Sequence, residues 1–154
     1  MNSKRRRWSG VKPEAYHLQK IKWQFFGTLT FEKDKPEHIR KCMLIAWIRG
    51  IAKSFKIDPH RLPAFWNYEF GVSAGINGHY HVLVTGLPFE AVNDRTCRLL
   101  EQHWKRQGGG LSKFEVYDRR RDGVGYVLKV RRVEDGDSIP TLSSGLQRIL
   151  ASRK

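Results

Sequence analysis

Apolar and polar residues alternate in four short segments of the chain, and this period of two predicts four β-strands. The segments are 22–33, 63–71, 78–86 and 112–118. In the first of them, Phe25 and Leu29 fall on one face of the strand, whereas Phe26, Thr28 and Thr30 fall on the other. Aromatic residues and threonine are common in these segments, which is typical of strands in a half-buried sheet.

Other segments repeat apolar residues at helical spacing. The clearest is 35–55, where they recur about once per turn, at Ile39, Met43, Ala46, Trp47 and Ile51. Segment 88–107 is predicted to be a second helix, ended by the glycines at 108–110. Segment 122–132 predicts a short third helix, and from residue 134 onward we expect a loop followed by one more helical segment.

The order strand, helix, strand, strand, helix, strand, helix predicts an α+β fold. We expect a ferredoxin-like (RRM-like) central antiparallel β-sheet, with helices on one face and an added C-terminal helix that carries Tyr126. Residues 1–15 are predicted to form a basic N-terminal arm, and 16–154 a single domain. Because this fold hosts many functions, the function has to be argued from particular side chains.

Charge narrows the class of partner. The chain has 29 Lys and Arg residues against 15 acids, a net charge of +14 and a pI near 10.2. Such an excess favours a polyanion as partner, and nucleic acid is the commonest one. A surface that only touches acidic lipid is the alternative, less favoured because no amphipathic anchor is evident. With no apolar run of about 18 residues and no apolar signal core, we expect a cytoplasmic protein, associated with the nucleoid during action.

His79 and His81 form the first candidate site. Because strand side chains alternate, both histidines point to one face and Tyr80 points to the other. We expect the histidine face to be the less buried one. Two imidazoles at this spacing can bind one divalent ion. The alternative is a pair of ordinary surface histidines.

Glu69 lies in the neighbouring strand and completes the candidate site. If the apolar Tyr68 shares a face with Tyr80, an in-phase register places Glu69 with the histidines. Two imidazoles and one carboxylate would then form a three-ligand site with open positions, suited to Mg²⁺ or Mn²⁺ when phosphate oxygens and water complete the shell. The alternative is a solvated carboxylate.

The short third helix carries a tyrosine and a lysine. At 100° per residue, Val124 and Val127 lie on one stripe, and Tyr126 and Lys129 lie nearly opposite, close to each other. A lysine beside a phenol favours the ionised form, and tyrosine is a known covalent nucleophile. The alternative is an exposed tyrosine on a basic helix. Tyr117, in a predicted strand, is expected to pack instead.

Three motifs together resemble a known family. They are "FFGTLTF" at 25–31, "HYH" at 79–81 and "YVLK" at 126–129, in this order. The set resembles the HUH single-strand DNA endonucleases, especially the rolling-circle replication initiator (Rep) proteins of plasmids and phages. The resemblance spans most of the chain, and the ordered set is more specific than any one motif.

The resemblance implies a role for each motif residue. Glu69, His79 and His81 would bind Mg²⁺ or Mn²⁺, and Tyr126, helped by Lys129, would attack a phosphodiester to leave a 5′-phosphotyrosine and a free 3′-OH. The partner would be single-stranded DNA or a DNA hairpin at an origin, with a separate helicase because the chain has no P-loop pattern. Single-tyrosine HUH transposases share this chemistry and stay open as an alternative.

Basic runs and one sheet face are the predicted DNA contacts. They comprise Arg5, Arg6, Arg7, Trp8, Arg119, Arg120, Arg121, Arg131 and Arg132, with Phe26, Thr28 and Thr30 on the histidine face. The alternative from another class is a non-catalytic single-stranded nucleic-acid-binding module, in which Phe26 and Phe65 stack bases and no metal is needed.

Overall fold

The computed structural model describes residues 18–69, 78–121, 123–129, 141–142 and 151. Its strands are β1 (Phe25–Thr30), β2 (Ala64–Glu69), β3 (His79–Val84), β4 (Ser112–Val116) and β5 (Thr141–Leu142). Its α-helices are α1 (Glu37–Ser54), α2 (Asp94–Arg106) and α3 (Gly123–Lys129). The predicted basic arm and the segment that joins β2 to β3 lie outside the described residues.

The strands form one antiparallel sheet in the order β4-β1-β3-β2-β5. The first four strands and helices α1 and α2 have the predicted ferredoxin-like arrangement, so the α+β fold is confirmed. Strand β5 was not predicted, because its region reads as a loop. It pairs Leu142 with Phe65 and Thr141 with Trp66 at the edge of β2. A strand of two residues is too short to show an alternation of apolar and polar positions.

Helix α2 begins later than the apolar pattern predicts. A short 3-10 helix, Phe89–Ala91, comes first. The side chain of Asn93 then accepts a hydrogen bond from the main-chain nitrogen of Thr96, at 3.0 Å, and α2 begins at Asp94. This cap satisfies one of the first main-chain N–H groups of the helix, which have no partner inside it.

The main core lies between the sheet and helices α1 and α2. Phe25 and Leu29 of β1 face it with no exposed surface. The indole nitrogen of Trp47 in α1 donates to the carbonyl oxygen of Leu100 in α2, at 2.9 Å, and so joins the two helices. No helix among the described residues is long and apolar enough to cross a membrane.

The histidine face is the less buried face of the sheet, as predicted, but it is covered at one end. Phe65 and Leu83 on this face have no exposed surface. They belong to a second apolar cluster with Leu18, Ile21, Trp23, Val124 and Val127. Helices therefore flank both faces of the sheet. The alternation within a strand predicts the face on which a residue lies. It does not predict which end of that face is covered by another element.

Candidate metal centre

The register of β2 and β3 brings the three predicted ligands together. Glu69 lies directly opposite His79, and Tyr68 lies opposite Tyr80. The rings of Tyr68 and Tyr80 meet on the other face, with centroids 5.3 Å apart. The in-phase register expected from the two alternating strands is confirmed, and it places Glu69 on the face of His79 and His81.

The ligand atoms of the three side chains converge on one point. Glu69 Oε2 lies 2.9 Å from His79 Nε2 and 3.0 Å from His81 Nε2. The two Nε2 atoms are 3.1 Å apart. Among the described residues, this is the one group of three or more His, Cys, Asp or Glu side chains so placed that it could hold a metal ion.

The three ligand atoms are close enough together to bind one ion. Ligand atoms about 2.1 Å from an octahedral ion are separated from their neighbours by about 3.0 Å. In a tetrahedral site with bonds of the same length, the separation is about 3.4 Å. The observed separations of 2.9, 3.0 and 3.1 Å lie close to both values, so all three atoms can contact one ion. With three ligands from the protein, a bound ion would have further coordination positions for oxygen atoms of a substrate or water.

Hydrogen bonding alone satisfies this arrangement poorly. If both imidazoles carry a proton on Nε2, two donors face each other across the 3.1 Å contact. If only one carries it, the other nitrogen presents a lone pair to the carboxylate oxygen at about 3 Å. A cation attracts all three lone pairs at once, so the cluster is better suited to an ion than to a proton.

Thr28 supports His81 from the neighbouring strand. Its Oγ1 lies 3.3 Å from His81 Nδ1, and the two residues are paired in the β1–β3 register. When Nδ1–H donates to Thr28, the lone pair of Nε2 is left for an ion. Burial lowers the pKa of His81, against an opposing effect of Glu69, and so favours the neutral imidazole that metal binding requires.

Asn67 is a residue of the site that sequence reasoning did not single out. It lies opposite His81 in the β2–β3 register and is 1% exposed. Its Nδ2 donates to the carbonyl oxygen of Val127, at 3.1 Å. Its Oδ1 has no hydrogen-bond partner in the described part of the chain. A polar residue between aromatic neighbours in a strand was the available signal, because such a residue is costly to bury.

Helix α3, predicted to carry the tyrosine, packs beside the ligands. It spans Gly123–Lys129 and contacts β2 and β3, the strands that carry Glu69, His79 and His81. Val124 and Val127, which form the apolar stripe expected from the helical spacing, are both buried. The side chains of Tyr126 and Lys129 lie outside the described residues.

The predicted DNA contacts on the sheet are Phe26, Thr28 and Thr30, all half-buried, and the alternative binding module adds Phe65. Phe26 is half-buried, and its ring is nearly parallel to that of His81, with centroids 6.2 Å apart. The hydroxyl of Thr30 donates to the carbonyl oxygen of Leu111. Phe65 is fully buried, so the expectation that it stacks bases is wrong. The apolar cover provided by α3 is the reason.

The basic runs are only partly described. Arg119, Arg120 and Arg121 form a short 3-10 helix. Arg120 pairs with Asp118 and Arg121 pairs with Glu115, each at 3.0 Å, whereas Arg119 is exposed and has no ion pair within the described ranges. Two of these three cations thus have a carboxylate beside them. The other predicted contacts, Arg5, Arg6, Arg7, Trp8, Arg131 and Arg132, lie outside the described residues.

Comparison of the chain with family models, with curated proteins and with solved structures gives no match. The chemistry of this site therefore has to be argued from the residues that form it. The structure offers three ligand atoms for one cation, and helix α3, which contains Tyr126, packs beside them. The chain as a whole is basic.

Proposed function

We propose that the protein is a metal-dependent endonuclease and strand transferase acting on single-stranded DNA, of the HUH type found in rolling-circle replication initiators. The observation that carries the proposal is the convergence of Glu69, His79 and His81 on one point, where all three could bind one cation. Mg²⁺ and Mn²⁺ are the ions we expect there.

The ion supplies electrostatic stabilisation of a phosphodiester, whose phosphorus becomes easier to attack when its oxygens are polarised. On the protein side, Glu69 contributes the one negative charge of the ligand set. His81 is held by Thr28, so that the ligand geometry is set before substrate arrives. A preformed site of this kind avoids the cost of ordering its ligands during the reaction.

Tyr126 is the proposed nucleophile. Its phenolic oxygen forms a bond to phosphorus while the bond from phosphorus to the 3′ oxygen breaks. The tyrosine loses its proton, and the released 3′ oxygen gains one, so that a 5′-phosphotyrosine and a 3′-OH result. Lys129 favours the ionised phenol or balances the phosphate charge. The reverse step, with a 3′-OH as nucleophile, joins strands, and neither direction needs an oxidant or nucleotide cofactor.

Single-stranded DNA, or a hairpin at an origin, is the proposed partner, and a separate helicase would supply the strand. The net charge of +14 favours a polyanion. A non-catalytic binding module explains the site less well, because it needs no cluster of metal ligands and because Phe65, one of its two stacking residues, is buried. A single-tyrosine transposase would use the same chemistry on the ends of a mobile element.

Covalent adduct formation tests the proposal. The protein is incubated with a labelled library of single-stranded oligonucleotides, with Mn²⁺ or with a chelator, and analysed on a denaturing gel. We expect an adduct with Mn²⁺, none with the chelator and none in Glu69→Gln, which keeps the shape of the side chain but removes its charge. An adduct that persists at full yield with the chelator and in Glu69→Gln would refute a metal-dependent reaction.

A further inference from the structure

A cavity opens directly beside the metal-ligand cluster. Its volume is about 300 Å³, and it is lined by the ligand His81 and by Thr28, which contacts His81. This volume is at the lower end of the range of about 300–1,000 Å³ found for small-molecule sites. It suits a single nucleobase and excludes a longer stretch of folded nucleic acid.

One wall of the cavity is aromatic. Phe26 and Tyr117 line it and also pack against the second apolar cluster, which holds both rings in place. Phe26 is further fixed by its parallel contact with the ring of His81. An aromatic surface held in this way is a platform on which an unpaired base can stack, at a gain of about 1–3 kcal/mol per base.

The other wall carries carboxylates, which is unusual for a surface that meets DNA. Glu115 and Asp118 line the cavity, in a chain with only 15 acids against 29 basic residues. Arg121 lines it too and contacts both oxygens of Glu115 through Nη1, at 3.0 Å. Glu115 and Asp118 are paired with Arg121 and Arg120, and each carboxylate keeps lone pairs that can accept further hydrogen bonds from the edge of a base.

We propose that this cavity binds one unpaired guanine of the substrate strand; the proposal rests on the proposed function, which supplies the single strand. Guanine is the base whose Watson–Crick edge offers two neighbouring donors, N1–H and the N2 amino group, and a carboxylate has two oxygens to accept them. Its O6 and N7 are acceptors that match an arginine. In a single strand both edges are accessible, because neither is taken by pairing.

The other bases fit the same wall less well. Adenine and cytosine each present one amino donor beside a ring-nitrogen acceptor, and thymine presents one N–H between two carbonyl oxygens. Each of them therefore brings at least one lone pair toward the carboxylates. A good bidentate contact is worth about 1–3 kcal/mol of discrimination, or roughly five- to 150-fold in affinity.

The test is binding of fluorescent oligothymidylates that contain one guanine, adenine or cytosine, measured by anisotropy with a chelator so that no strand is cut. We expect the guanine oligonucleotide to bind about tenfold more tightly than the others. In Glu115→Gln, which replaces one acceptor by a donor, the ratio should fall to about one. Glu90→Gln removes the same charge from an exposed residue that does not line this cavity, and it should keep the preference.

The outcomes separate the two proposals. If no oligonucleotide binds, the assignment of the cavity fails, and the adduct assay with Mn²⁺ tests the proposed function separately. If all bind equally to the unchanged protein, or if adenine binds as well as guanine, the assignment of the cavity fails while single-strand binding stands. If the preference for guanine is retained in Glu115→Gln and also in Asp118→Asn, the carboxylates do not recognise the base. Thermal melting of each variant checks that its fold is intact.

Discussion

Asn67 in β2 donates a hydrogen bond from Nδ2 to the carbonyl oxygen of Val127 in α3, at 3.1 Å. Asn67 lies two positions before Glu69 and opposite His81. Val127 directly follows Tyr126 in α3. One buried amide thus joins the strand of a metal ligand to the helix of the proposed nucleophile.

Replacing Asn67 by Ala should loosen α3 without removing the metal ligands. The carbonyl oxygen of Val127 would lose its buried partner, at a cost of about 1–3 kcal/mol. We expect faster hydrogen exchange of the α3 amides and slower adduct formation, with Mn²⁺ affinity within a few-fold of the unchanged protein. If exchange in α3 stays the same while Mn²⁺ affinity is lost, Asn67 serves the ligands and not the helix.

Thr28→Val should weaken metal binding by a different route. Valine keeps the shape of the side chain but cannot accept from His81 Nδ1, so the ring would lose the contact that orients it. Loss of such a supporting contact typically costs 10- to 100-fold in metal affinity. Isothermal titration with Mn²⁺ measures this. Thr30→Val is the matched control, because Thr30 lies on the same face of β1 but its hydroxyl donates to the carbonyl oxygen of Leu111. Equal losses of Mn²⁺ affinity in both variants would contradict the role of Thr28.

The geometry of the ligand set could be predicted because the side chains of a strand point to only two faces of the sheet. Once Tyr68 and Tyr80 were assigned to the core, Glu69 had to join the histidines. Asn67 and β5 could not be predicted in the same way. The role of Asn67 depends on a contact with a residue 60 positions away, and β5 depends on the free edge of β2. The burial of Phe65 likewise depends on α3, whose position the strand pattern does not contain.

Arg119 should contribute more than Arg120 to the salt dependence of DNA binding. Arg119 is exposed, whereas Arg120 already contacts Asp118 through two nitrogen atoms of its side chain. Each phosphate contact to single-stranded DNA adds about 0.7 to the slope of log affinity against log salt. We expect Arg119→Ala to reduce the slope by about that amount and Arg120→Ala to reduce it by less. The reverse order would show that Asp118 does not compete with phosphate.

His103 should make the fold sensitive to mild acid. It is buried between α1 and α2, where its Nε2 lies 2.8 Å from the hydroxyl of Ser54. Burial, and then the charge of Arg106, lower the pKa of His103 from its usual 6.5. The unfolded chain therefore binds a proton at higher pH than the folded one, so this contribution to stability is present above pH 6.5 and is lost as the pH falls through the lowered pKa.

Urea unfolding at pH 8 and pH 5 measures that dependence. We expect the free energy of unfolding to fall less between these two values in His103→Gln than in the unchanged protein. The pKa of His81 is also lowered, and its contribution is common to both proteins, so the difference between them isolates His103. An identical fall in both would exclude His103 as a source of acid sensitivity.

The most direct test of the central claim is to identify the residue that carries the DNA. After reaction with a single-stranded substrate in Mn²⁺, the protein is digested with nuclease and protease, and the modified peptide is sequenced by mass spectrometry. We predict a nucleotide 5′-phosphate on Tyr126, absent from Tyr126→Phe and retained in Tyr117→Phe, since Tyr117 packs against the second apolar cluster. A nucleotide on Tyr117, or an adduct that survives in Tyr126→Phe, would contradict the assignment.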